Sequence, residues 1–388
     1  MTKVLIIVDK FKGSLTAREA SSAIARGLLS AVPDLDIEQV PLADGGEGTL
    51  EAVEMFGDER ILVNSIDPLG RKIEVPVLRT GERILCEMAK STGLHLLSKE
   101  ERNPINTTSY GLGMVFKEVA QMGYKSILMG IGGSATNDAG TGMLEALGYH
   151  FVDSEGNNSR RGSYMTGADL INIAGIDDTS VPAYIRKLKI EVACDVRNPL
   201  TGPCGASHVY GPQKGASVQD IESLESGMQN FVKVVARYLG RDLSDIPGAG
   251  AAGGVGYALA AFMDAKLLSG WRVLFDFLDI ESKIEQADVV ITGEGRVDLQ
   301  SISGKLLDGV VEICLRKKRR LWVICGDNKL PDRDLERIGV ERLFSVSQFE
   351  PSKERAIANA DYHIEKISQL AATFLKPPTS NRQTIKIK

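Results

Sequence analysis

The stretch ADVVITGEGRVDLQSISGK, residues 287–305, runs from an apolar segment into Gly293-Glu294-Gly295-Arg296 and on to Asp298. Acids and a cation on a glycine turn at a strand end suit a Mg²⁺–phosphate complex, because Mg²⁺ favours carboxylate and phosphate oxygens. A turn closed by its own ion pair is the plainer alternative. DKFKGSLTA, residues 9–17, follows another apolar run and puts Lys10, Lys12 and Gly13 ahead of a helical pattern, a setting that suits an anion. In IGGSATNDAG, residues 131–140, Gly132, Gly133 and Ser134 let a backbone approach a phosphate, and Thr136 or Asn137 is placed to cap the helix that follows. The loop fits neither G-x-x-x-x-G-K-[ST] nor G-x-G-x-x-G, so neither common nucleotide fingerprint applies.

Three further stretches use the same residue types. PLADGGEGTLEAV, residues 41–53, sets Asp44 and Glu47 around two glycines, either as a helix cap or for hydroxyl or metal recognition. In residues 193–216 an apolar strand ends at Asp195, and a long loop then reaches Lys214, within range of a phosphate. GAGAAGGVGYALAAF, residues 248–262, reads as a tightly packed helix start or as a second phosphate nest. There is no Ser-His-Asp pattern, no G-x-S-x-G and no histidine spacing for a metal. Carboxylates, lysines and glycine turns point to phosphoryl transfer, where positioning and charge neutralisation dominate.

These turns need strands to carry them. KVLIIVD, ILVNSI, KIEVPVL, SILMGI, KLKIEVACD, DVVITG and RLWVIC are short β-branched runs bounded by turn residues. They alternate with amphipathic stretches such as TAREASSAIARGLLSAV, which has Ala20, Ile24, Leu28 and Ala31 at helical spacing and a Thr16/Glu19 capping box. The pattern predicts an α/β protein with largely parallel sheets. With 388 residues, and ~100–200 per domain, two domains are expected. The continuous apolar strands sit at the two ends of the chain. We therefore expect residues 1–65 plus 281–375 to form a discontinuous domain with a Rossmann-like parallel sheet. Residues 66–280 would be inserted as a second α/β domain, and 376–388 would form a mobile tail.

Composition narrows the partners. Hydrophobic residues make up 43% and charged residues 25%, as in ordinary globular proteins, and the net charge of −5 argues against a nucleic-acid partner. The basic run RKKRR, residues 316–320, reads as the C-terminal turn of a helix. Five cysteines without a C-x-x-C pair predict buried thiols in a reducing compartment. The uninterrupted N-terminal apolar run, Val4 to Val8, is too short for a signal peptide or membrane span, so a cytoplasmic location is expected. Homo-oligomerisation is left open.

Taken in order, DKFKGSLTA, PLADGGEGT, IGGSATNDAGTGMLEALG, CDVRNPLTG, GPQKGA and ITGEGRVDLQSISGK resemble the bacterial glycerate kinase type-1 family over nearly the whole chain. The resemblance implies two α/β domains with the active site between them, and ATP-dependent phosphorylation of D-glycerate to 2-phosphoglycerate with Mg²⁺. On that reading Asp195 is the base, and Lys12 neutralises phosphate or carboxylate charge. Asp44, Glu47 and Arg296 serve the substrate, and Gly132, Gly133, Ser134, Asn137 and Lys214 the nucleotide phosphates. Glu294 and Asp298 stand on the metal side. A kinase for another small hydroxy acid, or a non-catalytic nucleotide or metabolite sensor, are the alternatives. The chain departs from the family pattern at Lys10, where many relatives have serine, at Arg197, where an acid is common, and in the segment from Leu299 to Lys305. These departures bear on substrate preference more than on reaction class.

Overall fold

The computed structural model describes residues 1–42, 57–299, 301 and 306–375. Asp44, Glu47 and the tail 376–388 lie outside them. The chain divides into two compact units, Met1–Asp44 with Leu274–Lys388, and Gly45–Val273.

The first unit is built on a five-stranded parallel sheet in the spatial order Val340–Ser345, Arg320–Cys325, Val289–Gly293, Lys3–Val8, Asp36–Pro41. Val4 to Val8 are fully buried, as are Val289, Val290 and Ile291, so helices cover both faces of the central strands. Counted along the chain, the strand order is second, first, third, fourth, fifth, with the reversal between Lys3–Val8 and Val289–Gly293. The helix Ala17–Ala31 starts at the capping box read from the sequence. Thr16 Oγ1 accepts from the Glu19 N–H at 3.2 Å, and the Glu19 carboxylate accepts from the Thr16 N–H at 2.8 Å. This helix packs against Ala360–Ala372, and Arg26 ties the pair to Asp361 and Glu365 at 2.7 and 2.9 Å. The basic run closes the helix Leu306–Lys317. Arg316 and Lys317 pair with Glu281, Lys317 also with Glu285, and Arg320 with Glu341, which accounts for the run as fold chemistry.

The second unit holds a six-stranded mixed sheet. Lys266–Leu268, Lys189–Ala193, Ser126–Gly130 and Arg83–Glu87 are parallel neighbours in that order, followed by antiparallel Lys72–Thr80 and Glu59–Ile66. The strand Glu59–Ile66, which the sequence reading grouped with the N-terminal segment, pairs along its whole length with Lys72–Thr80. Phe116, Phe151, Phe231 and Tyr257 fill the core between this sheet and its helices. Three of the five cysteines, Cys86, Cys314 and Cys325, are buried as expected, but Cys194 is partly open and Cys204 exposed. Among the described residues no helix is long and apolar enough to cross a membrane.

The helices Ala17–Ala31 and Ala360–Ala372 approach closely at Gly27, where an added Cβ would lie 2.2 Å from the Glu365 carbonyl oxygen and 2.7 Å from Ser368 Cβ. Gly27→Ala should therefore destabilise the protein by about 1–3 kcal/mol in urea unfolding, although alanine is the better helix former. At Gly162 an added Cβ meets nothing within 4 Å, and Gly162→Ala should change stability by less than about 0.5 kcal/mol. Equal stability of the two variants would contradict the packing argument.

Candidate active site

In the first unit, the turns leaving the C-terminal strand ends lie against one another. The Asp9 N–H donates to the Gly293 carbonyl at 3.0 Å, and the next turn is closed by paired bonds between Phe11 and Leu15 with Gly13 at φ +83°. A Cβ on Gly295 would lie 3.1 Å from Lys12 N and 3.3 Å from Phe11 Cα, so the turns after the first and third strands touch where glycine allows it. The Gly326 N–H donates to the Glu294 carbonyl at 3.3 Å, and the Asp327 N–H to the Gly295 carbonyl at 3.1 Å. Lys12, Glu294, Arg296 and Asp298 thus share one sheet edge. Asp327 and Lys329 join them, with Asp327 Oδ2 3.7 Å from Arg296 Nε and 3.1 Å from Lys329 Nζ. The sequence reading passed over Asp327, although the apolar run RLWVIC ends in Gly326-Asp327, the same glycine-then-acid pattern as Gly293-Glu294.

In the second unit, Gly130 and Ala193 are register partners, so the loops after Ser126–Gly130 and Lys189–Ala193 leave neighbouring strands on one edge. Gly133 is exposed and Ser134 nearly buried. The segment is pinned by the Leu94 N–H to the Gly133 carbonyl and the Ala135 N–H to the Thr92 carbonyl, both 2.9 Å. Asp195 stands exposed just past its strand, with Oδ1 accepting from the Gly270 N–H at 2.9 Å. Glu87, which the sequence reading did not single out, is buried at the end of its strand, 3.9 Å from Lys90 Nζ.

The helix after the glycine loop differs from expectation. Neither Thr136 nor Asn137 caps Thr141–Ala146; Gly140, at φ +73°, occupies the cap position. The buried Asp138 carboxylate does the work instead. It accepts from Ser109 N and Oγ, both 2.7 Å, from Gly140 N at 3.1 Å and from Gly142 N at 3.2 Å. The Met143 N–H donates to Ser109 Oγ at 2.9 Å. The helix start therefore already holds an anion of the protein's own, with the N–H groups of Gly140, Gly142 and Met143 engaged. Burial pushes the Asp138 carboxyl above the usual range, against these hydrogen bonds, which favour the charged form. Asn137 Nδ2 donates to Ser207 Oγ at 3.0 Å, while Asn137 Oδ1 and Thr136 Oγ1 are buried with no hydrogen-bond partner among the described residues.

Lys214 is also placed otherwise than read. It is 2% exposed, and its Nζ donates to Ser134 Oγ at 2.8 Å and to the Thr136 carbonyl at 2.6 Å. Burial pulls its pKa down to about 7, and the nearby Asp138 partly opposes that shift. The Gly-rich segment before the helix Val255–Met263 packs behind the same loop. The Ala139 N–H donates to the Gly253 carbonyl at 2.9 Å, and a Cβ on Gly253 would lie 2.0 Å from the Thr136 carbonyl oxygen. Among the described residues, no three His, Cys, Asp or Glu side chains converge as a metal cage.

Comparison with known proteins gives a consistent result. The sequence model of the glycerate kinase family matches residues 4–376. A glycerate 2-kinase of Escherichia coli is 39% identical, with 96% of this chain and 98% of that protein aligned. A glycerate kinase of Haemophilus influenzae is 42% identical over 84% of this chain and 85% of its own. A crystal structure ascribed to glycerate kinase 2 of Salmonella typhimurium LT2 superposes with a TM-score of 0.82 at 39% identity, covering 96% of this chain and 98% of that one.

The burial of Lys214 has a pH signature. Its folded pKa, about 7, lies below the ordinary 10.5, so between those values the unfolded chain binds the extra proton. The contribution of this group to stability is therefore least favourable below pH 7 and improves as pH rises towards 10.5. The unfolding free energy of the wild type minus that of Lys214→Met should rise with pH across this window in urea titrations. A difference independent of pH would show that the amine is not buried in this way.

Proposed function

The chain belongs to the glycerate kinase family of phosphotransferases, and we propose that it moves the γ-phosphoryl group of ATP to the 2-hydroxyl of D-glycerate, with Mg²⁺, to give 2-phosphoglycerate. The observation that carries this reading is the edge of the five-stranded sheet. The strand order reverses there between Lys3–Val8 and Val289–Gly293, and the turns after those two strands lie in contact. Open α/β sheets bind ligands at such a reversal. The turns bring cations and carboxylates to that edge, the mixture a nucleotide–metal complex requires.

In-line phosphoryl transfer asks the protein mainly to position two substrates and neutralise charge. Lys12, on the turn after the first strand, neutralises phosphate or carboxylate charge as the reaction proceeds. Glu294 and Asp298 are the residues that would hold Mg²⁺. A metal taken up by one or two carboxylates together with substrate phosphates needs no all-protein cage. When bound, Mg²⁺ supplies charge neutralisation at the phosphates. Arg296, exposed beside Asp327, binds the glycerate carboxylate. Asp44 and Glu47 contact substrate hydroxyls. Gly132, Gly133 and Ser134 meet an anionic group of a substrate at the loop's outer turn, with the helix start behind them already occupied by Asp138. Asp195 takes the proton of the attacking hydroxyl, and the Gly270 N–H on Oδ1 orients its carboxylate.

Purified protein with ATP, Mg²⁺ and D-glycerate should give a ³¹P NMR resonance for 2-phosphoglycerate. A 3-phosphoglycerate resonance would move the acceptor hydroxyl, and turnover with another hydroxy acid alone would move the substrate. Nucleotide-dependent thermal stabilisation without turnover of any acceptor would identify a sensor instead. Asp195→Asn should lower kcat by at least ~10²-fold if Asp195 is the base. Near-normal kcat in a folded variant would remove that role.

A further inference from the structure

We propose that Lys214 is a positioning residue that acts through Ser134, holding the Ser134 hydroxyl as a hydrogen-bond donor to an anionic oxygen of a bound substrate. The inference rests on the kinase reading above. In its protonated form the Lys214 amine has donors and no acceptor, so in the 2.8 Å contact Ser134 Oγ is then the acceptor. The serine keeps its own proton, and a hydroxyl that accepts from a cation is the stronger donor through its O–H. Ser134 is 8% exposed and follows the exposed Gly133, so the buried amine meets the loop at the residue next to its exposed turn.

The two halves of this arrangement come from different loops. Lys214 ends the short turn Pro212–Lys214, in the segment after Asp195, which holds the helix Ala206–Tyr210 rather than the single long loop expected, while Ser134 lies in the loop after the neighbouring strand. The turn is pinned at Gly215, φ +94°, where a Cβ would lie 2.2 Å from the Arg102 carbonyl oxygen. The atoms that touch Lys214 Nζ, Ser134 Oγ and the Thr136 carbonyl, are neutral. Burial disfavours the charged amine, the nearby Asp138 carboxylate only partly offsets this, and a purely structural bridge between the loops would not need the charge. Orienting a hydroxyl towards an anion uses it. Two buried oxygens beside the bridge, Thr136 Oγ1 and Asn137 Oδ1, have no partner among the described residues, a cost that packing alone does not explain. The oxyanion belongs to a nucleotide phosphate or to the carboxylate of the acceptor, and kinetics separate the two.

The test is steady-state kinetics of the full chain as wild type, Ser134→Ala, Lys214→Met and the double variant, with ATP and D-glycerate each varied in turn. Ser134→Ala should lower kcat/KM for one substrate by about tenfold to a hundredfold. Lys214→Met should affect the same substrate, and the double variant should be no worse than the poorer single, because each removes the same contact. An effect on KM for ATP alone places the oxyanion on the nucleotide, and one on KM for glycerate alone places it on the acceptor. Effects that multiply in the double variant overturn the proposal. So does a Ser134→Ala enzyme with wild-type kcat and both KM values, and this second result decides the matter even where Lys214→Met fails to fold. A wild type that phosphorylates no hydroxy acid sinks the kinase reading and this inference with it; an active wild type indifferent to Ser134→Ala sinks this inference alone.

Discussion

The buried carboxylate of Asp138 fixes the second unit's glycine loop. A fully buried acid is expensive unless its lone pairs are engaged, and four donors meet it here, from Ser109, Gly140 and Gly142. Those contacts bind the start of one helix to the residue that precedes another, Tyr110–Gln121, so the loop has two fixed ends. Gly142 has no room for a side chain, since a Cβ would lie 2.3 Å from Thr108 Oγ1 and 2.9 Å from Asp138 Oδ2. Backbone strain gathers behind it: Ala139 and Ala252 both hold positive φ, and they flank the bond from Ala139 N–H to the Gly253 carbonyl. Such conformations persist where the surroundings over-determine them. The outer turn, Gly132 to Ser134, is thereby presented on a rigid base.

In the first unit rigidity comes from the sheet itself. Parallel strands covered on both faces must be apolar along their length, which excludes charge from the interior and delivers it at the ends. Val8, Gly293 and Cys325 are the last strand residues before Asp9, Glu294 and Gly326-Asp327. Glycine at 293, 295 and 326 serves close approach rather than flexibility, since an added Cβ on Gly293 would lie 1.8 Å from the Ile324 carbonyl and one on Gly326 2.5 Å from that of Gly295.

The parts of this structure that sequence makes legible are those governed by local chemistry. All seven apolar β-branched runs are strands, and the Thr16/Glu19 box caps its helix, because both signals are complete within a few residues. Four strands of the main sheets escaped notice for the converse reason. Asp36–Pro41 and Val340–Ser345 are interrupted by charge, Arg83–Glu87 begins and ends on charge, and Lys266–Leu268 is three residues long, so neighbours rather than pattern define them. The same distinction separates the site residues. Lys12, Glu294, Arg296 and Asp298 belong to turns whose strand-end position is readable, and the fold sets them along one edge. Asp138 and Lys214 depend on partners 29 and 80 residues away, Ser109 and Ser134, which no spacing rule discloses.

Lys12 and Lys214 show why residue type alone cannot assign a role. Both are lysines in glycine-containing loops, and both were read as anion contacts. Lys12 is exposed in the turn after the first strand, where a hydrated point charge can meet an incoming phosphate. Lys214 is enclosed and already donates to a hydroxyl and a carbonyl, so on the proposed reading its charge reaches a ligand through Ser134 rather than by contact. An exposed ammonium attracts an anion over a distance and is screened by salt; a buried one acts over a single hydrogen bond and is not. On the proposed reading the chain uses one amino acid for two separate tasks, neutralising charge at one sheet edge and orienting a hydroxyl at the other. The difference is set by what covers the side chain.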